Sequence, residues 1–199
     1  MFYKTCSAIL ASGLLLTPPT ILAEDLSTFM LVAPCAACHG PEGSSVGPAT
    51  PTISGFSTDS FLEAMEMFKS GDRPSTIMER LAKGYSKQDF EVMAKYFAQQ
   101  EFVRYEQQTD AAKAKKGAEL HDEYCEKCHE ENGFVDEDGS AVLAGQWLPY
   151  LQFSLEDYHQ GEREMTKKMR KRMKKMVEEH GEESLDQVAH FYASQTQKP

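Results

Sequence analysis

Cys35-Ala36-Ala37-Cys38-His39 and Cys125-Glu126-Lys127-Cys128-His129 share one form, Cys-x-x-Cys-His, and the rest of the chain is read outward from them. Two thiols three positions apart, followed at once by an imidazole, form the attachment pattern of c-type haem. The thiols add across the two vinyl groups of one porphyrin, and the next residue brings a nitrogen to the iron from the same turn of helix. With five cysteines and six histidines in 199 residues, roughly 0.004 such motifs arise by chance, against two found.

Other uses of paired cysteines fit less well. A zinc ribbon places its Cys-x-x-Cys pairs about 15–20 residues apart, far closer than these two pairs lie. A thioredoxin-like redox pair needs a βαβ pattern around it, and none is visible. Two plain disulfides leave both adjacent histidines unexplained.

Composition bounds the class. The chain carries 31 acidic and 21 basic side chains, a net charge of −10, which argues against a general nucleic-acid binder. Hydrophobic residues at 41% and charged residues at 26% describe a soluble globular protein of one domain or two small ones. Residues 1–23 have the layout of a secretory signal: Lys4 near the start, an apolar stretch from Ala8 to Leu16, a Pro18-Pro19 break and Ala23 before Glu24-Asp25. Cleavage is expected after Ala23, removing Cys6 and placing the mature chain in the periplasm. The stretch is too short and interrupted to span a bilayer.

The spacing of the motifs is itself informative. His39 and His129 are 90 positions apart, and at that same shift Ile53-Ser54-Gly55 matches Leu143-Ala144-Gly145, Phe68-Lys69-Ser70-Gly71 matches Tyr158-His159-Gln160-Gly161, and Arg73 matches Arg163. This is a tandem duplication, with Gln99 to Asp110 as its polar linker. The expected division is 24–105 and 106–199. Units of this size have a marginal apolar core, which a covalently held haem completes.

Both halves read as helical. Leu26, Phe29, Met30 and Ala33 make a stripe entering the first motif, and Ala114, Ala118 and Tyr124 precede the second. Phe61, Leu62, Met65 and Phe68 mark a further helix, with Ser60 and Glu63 placed as a capping box. Phe90, Met93, Ala94 and Phe97 share a face near the end of the first half, as do Leu185, Val188, Ala189 and Tyr192 in the second. No run alternates like a strand. The expected fold is all-α, two tandem class I cytochrome c domains related by internal duplication.

The sixth iron ligand sets what each haem can do, and a methionine thioether suits electron transfer. Met78, after the Gly71-Asp72-Arg73-Pro74 turn, is the expected ligand in the first half; Met30, Met65, Met67 and Met93 fit core positions. In the second half Met169 needs one inserted residue and Met165 three removed; Met169 is preferred and Met165 stays open. Gly47-Pro48 is placed to offer a carbonyl to the free nitrogen of His39, while Asp138-Gly139 at the matching place leaves the partner of His129 unassigned. His121, His159, His180 and His190 read as surface or packing residues. Lys167, Lys168, Arg170, Lys171, Arg172, Lys174 and Lys175 make one helix basic, either as a solvated face opposite the methionines or as a docking patch.

Phe68-Lys69-Ser70-Gly71, the run from Ser75 to Ser86, His121-Asp122-Glu123-Tyr124-Cys125-Glu126-Lys127-Cys128-His129 and Leu143-Ala144-Gly145-Gln146-Trp147 closely resemble the dihaem cytochrome subunit of flavocytochrome c sulfide dehydrogenase. The doubled motif and the Gly-x-Arg turn before methionine are shared with dihaem carrier cytochromes of bacterial periplasms. The resemblance implies two haem c groups, held by Cys35, Cys38, Cys125 and Cys128 and ligated by His39, Met78, His129 and Met169. It also implies a separate FAD-bearing subunit that oxidises sulfide, and an external acceptor. This chain has no Gly-x-Gly-x-x-Gly after a strand, so FAD is expected only on the partner. A free-standing dihaem carrier is the alternative; an enzyme or gas sensor with one open haem is a third reading.

Overall fold

The computed structural model describes residues 20–136 and 141–198, with side chains placed from residue 26. Most of the expected export segment 1–23, and Asp138-Gly139, lie outside the described residues. Among the described residues there is no strand, and no helix is long and apolar enough to cross a membrane.

In the first half, α1 (Thr20–Val32) leads through a 3-10 turn into the one-turn α2 (Ala36–His39). A loop follows, then α3 (Thr58–Ser70), the short α4 (Met78–Ala82) and α5 (Lys87–Ala98). The second half repeats the order: α6 (Ala111–Leu120), a π turn over His121–Cys125, the one-turn α7 (Glu130–Gly133), α8 (Leu148–Gln160), α9 (Lys167–His180) and α10 (Glu183–Ser194). Local chemistry sets the ends. Ser86 and Asp89 form a reciprocal capping box on α5, and the Asp110 carboxylate accepts from Ala112 and Lys113 at the start of α6.

Each half closes around its last helix. Phe90, Met93, Ala94 and Phe97 of α5 are at most 2% exposed, and Leu185, Val188, Ala189 and Tyr192 of α10 at most 6%. The duplication appears in the backbone as well as the sequence. Ile53 and Ser54 both donate to the Gly43 carbonyl, while Leu143 and Ala144 donate to that of Gly133. Gly55 donates to Phe97 at 2.8 Å and Gly145 to Tyr192 at 2.9 Å. The shift is therefore 90 at the glycines (55 to 145) and 95 at the final helix (97 to 192). The five added residues fall where α4, of 5 residues, is replaced by α9, of 14.

Two expectations are corrected. Leu26, Phe29 and Met30 face outward, 59%, 63% and 69% exposed, and Val32 turns into the core instead. Leu31, Val32 and Cys35 form a second apolar stripe beside the first, and period alone does not choose between them. The cap of α3 is Ser57, whose side chain accepts from the Ser60 N–H, rather than Ser60 with Glu63. The Ser60 hydroxyl donates to Asp136 of the other half at 2.7 Å.

The halves meet through polar groups. Fully buried Gln146 donates to the Thr52 carbonyl at 2.6 Å and accepts from the Thr52 N–H at 3.1 Å. The Trp147 indole donates to the Ser45 carbonyl at 3.0 Å. In the opposite direction, the N–H and hydroxyl of Ser57 both donate to Asp136 at 2.8 Å. Ser57 and Trp147 are equivalent positions, so the contact is nearly reciprocal. Residues 101–110 pass between the halves: Phe102 is buried, Tyr105 stacks on Trp147 with ring centres 6.1 Å apart, and Gln107 donates to the carbonyls of Gln146 and Ala193.

Candidate functional site

The first motif is a tight helical turn running from the 3-10 turn Ala33–Cys35 through α2. It leaves Cys35 half-buried, Cys38 exposed and His39 only 7% exposed. His39 Nδ1 lies 2.8 Å from the Pro51 carbonyl. A carbonyl only accepts, so Nδ1 carries the proton and Nε2, on the other side of the ring, is the atom that can bind a metal. Burial lowers the His39 pKa, with the Pro51 hydrogen bond opposing, which favours the neutral imidazole a metal requires. The expected carbonyl acceptor for this proton, from Gly47-Pro48, is replaced by that of Pro51. Gly47 is committed elsewhere: at φ 85° it lies under the Trp147 indole, where a Cβ would come 2.8 Å from the ring.

Met78 begins α4, and its N–H donates to the Ser75 hydroxyl at 3.1 Å. Its side chain is half-buried and packs against the first core, which also takes in Cys35. Exposed Val46, Ile77 and Leu81 stand on the segments that flank the motif and Met78, giving these loops an apolar surface.

In the second motif Cys125 is half-buried, Cys128 exposed and His129 half-buried. Burial pushes the Cys125 thiol up to about 11. Met165 and Met169 both pack against the second core together with Cys125. Thr166 caps α9, its hydroxyl accepting from the Met169 N–H at 3.2 Å. A cleft between α8 and α9 is lined by Tyr158, Gly161, Met165, Met173 and Val177.

Sequence reasoning passed over the weight carried by His121. It is fully buried in the π turn ahead of the motif, hydrogen-bonded through Nδ1 to the Tyr192 hydroxyl at 2.8 Å and through Nε2 to the Glu126 carboxylate. The carboxylate accepts, so Nε2 is the donor and Nδ1 accepts from Tyr192, whose pKa burial raises well above its ordinary value. The equivalent position in the first half, 90 earlier, is Leu31. No signal within the motif reveals this network, because Tyr192 is 71 residues away.

Among the described residues the four motif cysteines form no disulfide. Among the described residues no three of His, Cys, Asp and Glu converge as a metal cluster, so the two cysteine pairs do not share one ion as a zinc ribbon would. The donor set fits haem: two thiols and an adjacent imidazole in one turn, in the first half with the His39 imidazole oriented by the Pro51 carbonyl, a thioether on a separate segment and apolar side chains around them. Helical halves of this form, each built on such a turn, define a c-type cytochrome of two tandem class I domains.

Comparison with known proteins sharpens that class. No family model matches. The structure of reduced recombinant cytochrome c4 from Pseudomonas stutzeri superposes with a TM-score of 0.72 and 26% identity, covering 85% of this chain and 97% of that one. Cytochrome c4 of Stutzerimonas stutzeri is 32% identical over 151 residues, 66% of this chain and 70% of that protein. The cytochrome subunit of sulfide dehydrogenase from Chlorobaculum tepidum is 43% identical over 63 residues, 32% of this chain and 56% of the relative. The chain belongs to the cytochrome c4 family of dihaem electron carriers.

Proposed function

We propose that this carrier is the cytochrome subunit of a periplasmic sulfide dehydrogenase, taking electrons from a separate FAD-bearing subunit that oxidises sulfide and handing them to an external acceptor. The observation that carries the sulfide assignment is the 43% identity over 63 residues to a sulfide dehydrogenase cytochrome subunit. Two haem c groups are assigned, one to each of the domains 24–105 and 106–199. Haem c, when bound, supplies a one-electron iron(III)/iron(II) couple.

The chain's own residues do the rest. Cys35 with Cys38, and Cys125 with Cys128, hold the porphyrins covalently. His39 and Met78 ligate the first iron, with the Pro51 carbonyl orienting the imidazole; His129 and Met169 ligate the second. Met169 is favoured over Met165 because of its cap. In both halves the methionine N–H bonds a hydroxyl three residues earlier, Ser75 to Met78 and Thr166 to Met169. A shift of 91 fits the single inserted residue, whereas Met165 precedes the helix. With a histidine and a methionine both available to ligate it, each iron would be held for transfer of electrons rather than for binding of gases or peroxide. Replacing Met169 with Ala is expected to abolish the sulfur-to-iron charge-transfer band of one haem. Loss on Met165→Ala instead would reverse the assignment.

The deciding experiment mixes the holo-cytochrome with sulfide in the presence and absence of its flavoprotein. Haem reduction is expected to be fast only with the flavoprotein, after correction for direct chemical reduction. Equal rates without it overturn the subunit reading. A second reading, a free-standing carrier, is favoured by the cytochrome c4 likeness extending over 66% of the chain. It predicts that no flavoprotein co-purifies.

A further inference from the structure

The helices that carry the two methionines have opposite charge logic. In α4, Glu79 stands in the first turn and Lys83 follows the last, joined at 2.8 Å as an i,i+4 pair. Acid first and base last matches the helix macrodipole, and Glu before Lys is the better order for such a pair. In α9 the order is reversed. Lys167, Lys168 and Arg170 occupy the first turn, where the dipole disfavours cations, and Glu178 and Glu179 stand beside His180 in the last, where it disfavours anions. Lys167 with Lys171, Lys168 with Arg172 and Lys171 with Lys175 are like-charged i,i+4 neighbours. The pairs Lys174–Glu178 at 3.6 Å and Lys175–Glu179 at 3.7 Å run in the weaker direction.

Among the described residues Lys167, Lys168, Arg170 and Lys171 are exposed and form no ion pair. A merely solvated helix face needs neither arrangement, because mixed charge in the dipole-matched order keeps a helix soluble and adds stability. Residues 167–175 hold seven of the chain's 21 basic side chains on a protein of net charge −10. They stand on the helix whose inner side packs Met169, Met173 and Met176 into the second core. They also lie on the element that the five added residues lengthen in this half alone.

We propose that the outer face of α9 is the docking surface for an acidic redox protein that exchanges electrons with the second half. A cationic patch on an otherwise acidic body steers an acidic partner to one place and repels it elsewhere. The unfavourable helix electrostatics are then retained for encounter rather than folding. The inference rests on the electron-carrier reading and on no particular donor.

The test uses the reduced holo-cytochrome and oxidised plastocyanin as the acidic probe; each turnover oxidises the cytochrome by one electron and reduces one copper(II) to copper(I). Lys167→Glu, Lys168→Glu and Lys171→Glu are combined, and a control of equal charge change combines Lys83→Glu, Lys87→Glu and Lys95→Glu in the first half. At low ionic strength the α9 variant is expected to react about 10-fold more slowly or worse, with its salt dependence flattened, while the control falls far less. Its melting temperature is expected to rise by about 2–5 °C as the first turn becomes dipole-matched. Equal slowing in variant and control overturns the proposal, as does a lowered melting temperature. Unchanged plastocyanin rates with lost binding to phosphatidylglycerol vesicles would assign the face to a membrane and also overturn it. Absorption spectra and reduction by dithionite report separately on haem incorporation, so a failure of the haem reading is recognised as such.

Discussion

The first and last helices of each half cross differently. In the second half, α6 packs along α10 at Gly117, where a Cβ would run into the Gln187 carbonyl and the Phe191 side chain. The backbones therefore approach as closely as a glycine allows. In the first half the equivalent position is exposed Ser27, and Leu31 and Val32 of α1 pack into the first core alongside the buried residues of α5. Where α1 offers Leu31, α6 continues into a π turn that buries His121 between Tyr192 and Glu126. One scaffold thus supports two crossings, one in the first half whose equivalent position is exposed and one in the second held by close backbone contact and a buried polar network. The part shared by both is the Cys-x-x-Cys-His turn and its link from Gly43 or Gly133 to the next loop.

Breaking that contrast by sequence should affect one half at a time. Gly117→Leu should have the largest effect, destabilising the second half by more than about 3 kcal/mol through overpacking. Ser27→Leu at the equivalent place in α1 should shift the first half by less than about 1 kcal/mol. Calorimetry with two resolved transitions would read both, and equal losses would erase the distinction. His121→Leu gives the second half the residue found at Leu31 and should cost about 1–3 kcal/mol, since Tyr192 and Glu126 lose a buried partner. No matching change is expected in the first transition. Gln146→Ala should cost about 1–2 kcal/mol of coupling and separate the two transitions further, because the amide satisfies both backbone polar groups of Thr52.

The smallest effect belongs to the cap of α5, which α10 lacks. Ser86→Ala should lower the first transition by a few degrees near neutral pH. Hydrogen bonds from Ser86 depress the Asp89 pKa below its ordinary value. The folded pKa lies under the unfolded one, so this contribution is present above the ordinary carboxylate range and is lost as pH falls through the depressed value. The melting curves of variant and wild type should therefore converge on acidification. A constant gap would show that the cap acts through the serine alone.

What could be read from sequence was what is local or periodic. The two motifs are five contiguous residues each, and a shift of 90 carried the duplication and the fold class. The core face of α5 followed from spacing because the buried residues Phe90, Met93, Ala94 and Phe97 lie on one side of that helix, whereas in α10 the same spacing found Leu185, Val188, Ala189 and Tyr192 but not His190, Phe191 and Ala193, which are buried as well. The path of the loop after His39 was not legible, since Gly47 is claimed by Trp147, 100 residues on, which leaves Pro51 to hold the imidazole. The orientation of α1 was ambiguous because two adjacent stripes are apolar. The cap of α3 was misplaced by one turn because Ser60 has a use that only Asp136 reveals. Long-range contacts decided both misreadings, the Trp147 ring against Gly47 and the Asp136 hydrogen bond at Ser60, and no window of residues contains them.

The near-reciprocal contact of Ser57 with Asp136 and of Trp147 with Ser45 has the form of a symmetric dimer written into a single polypeptide. Joined by residues 101–110, the partners meet at an effective concentration set by the tether, of millimolar order for a short connection. Dilution cannot part them. A seam made of amides, hydroxyls, the Asp136 carboxylate and one indole is then sufficient. Because each copy is encoded separately, a charge or glycine can be changed on one side of the seam without being imposed on the other, which true symmetry would forbid.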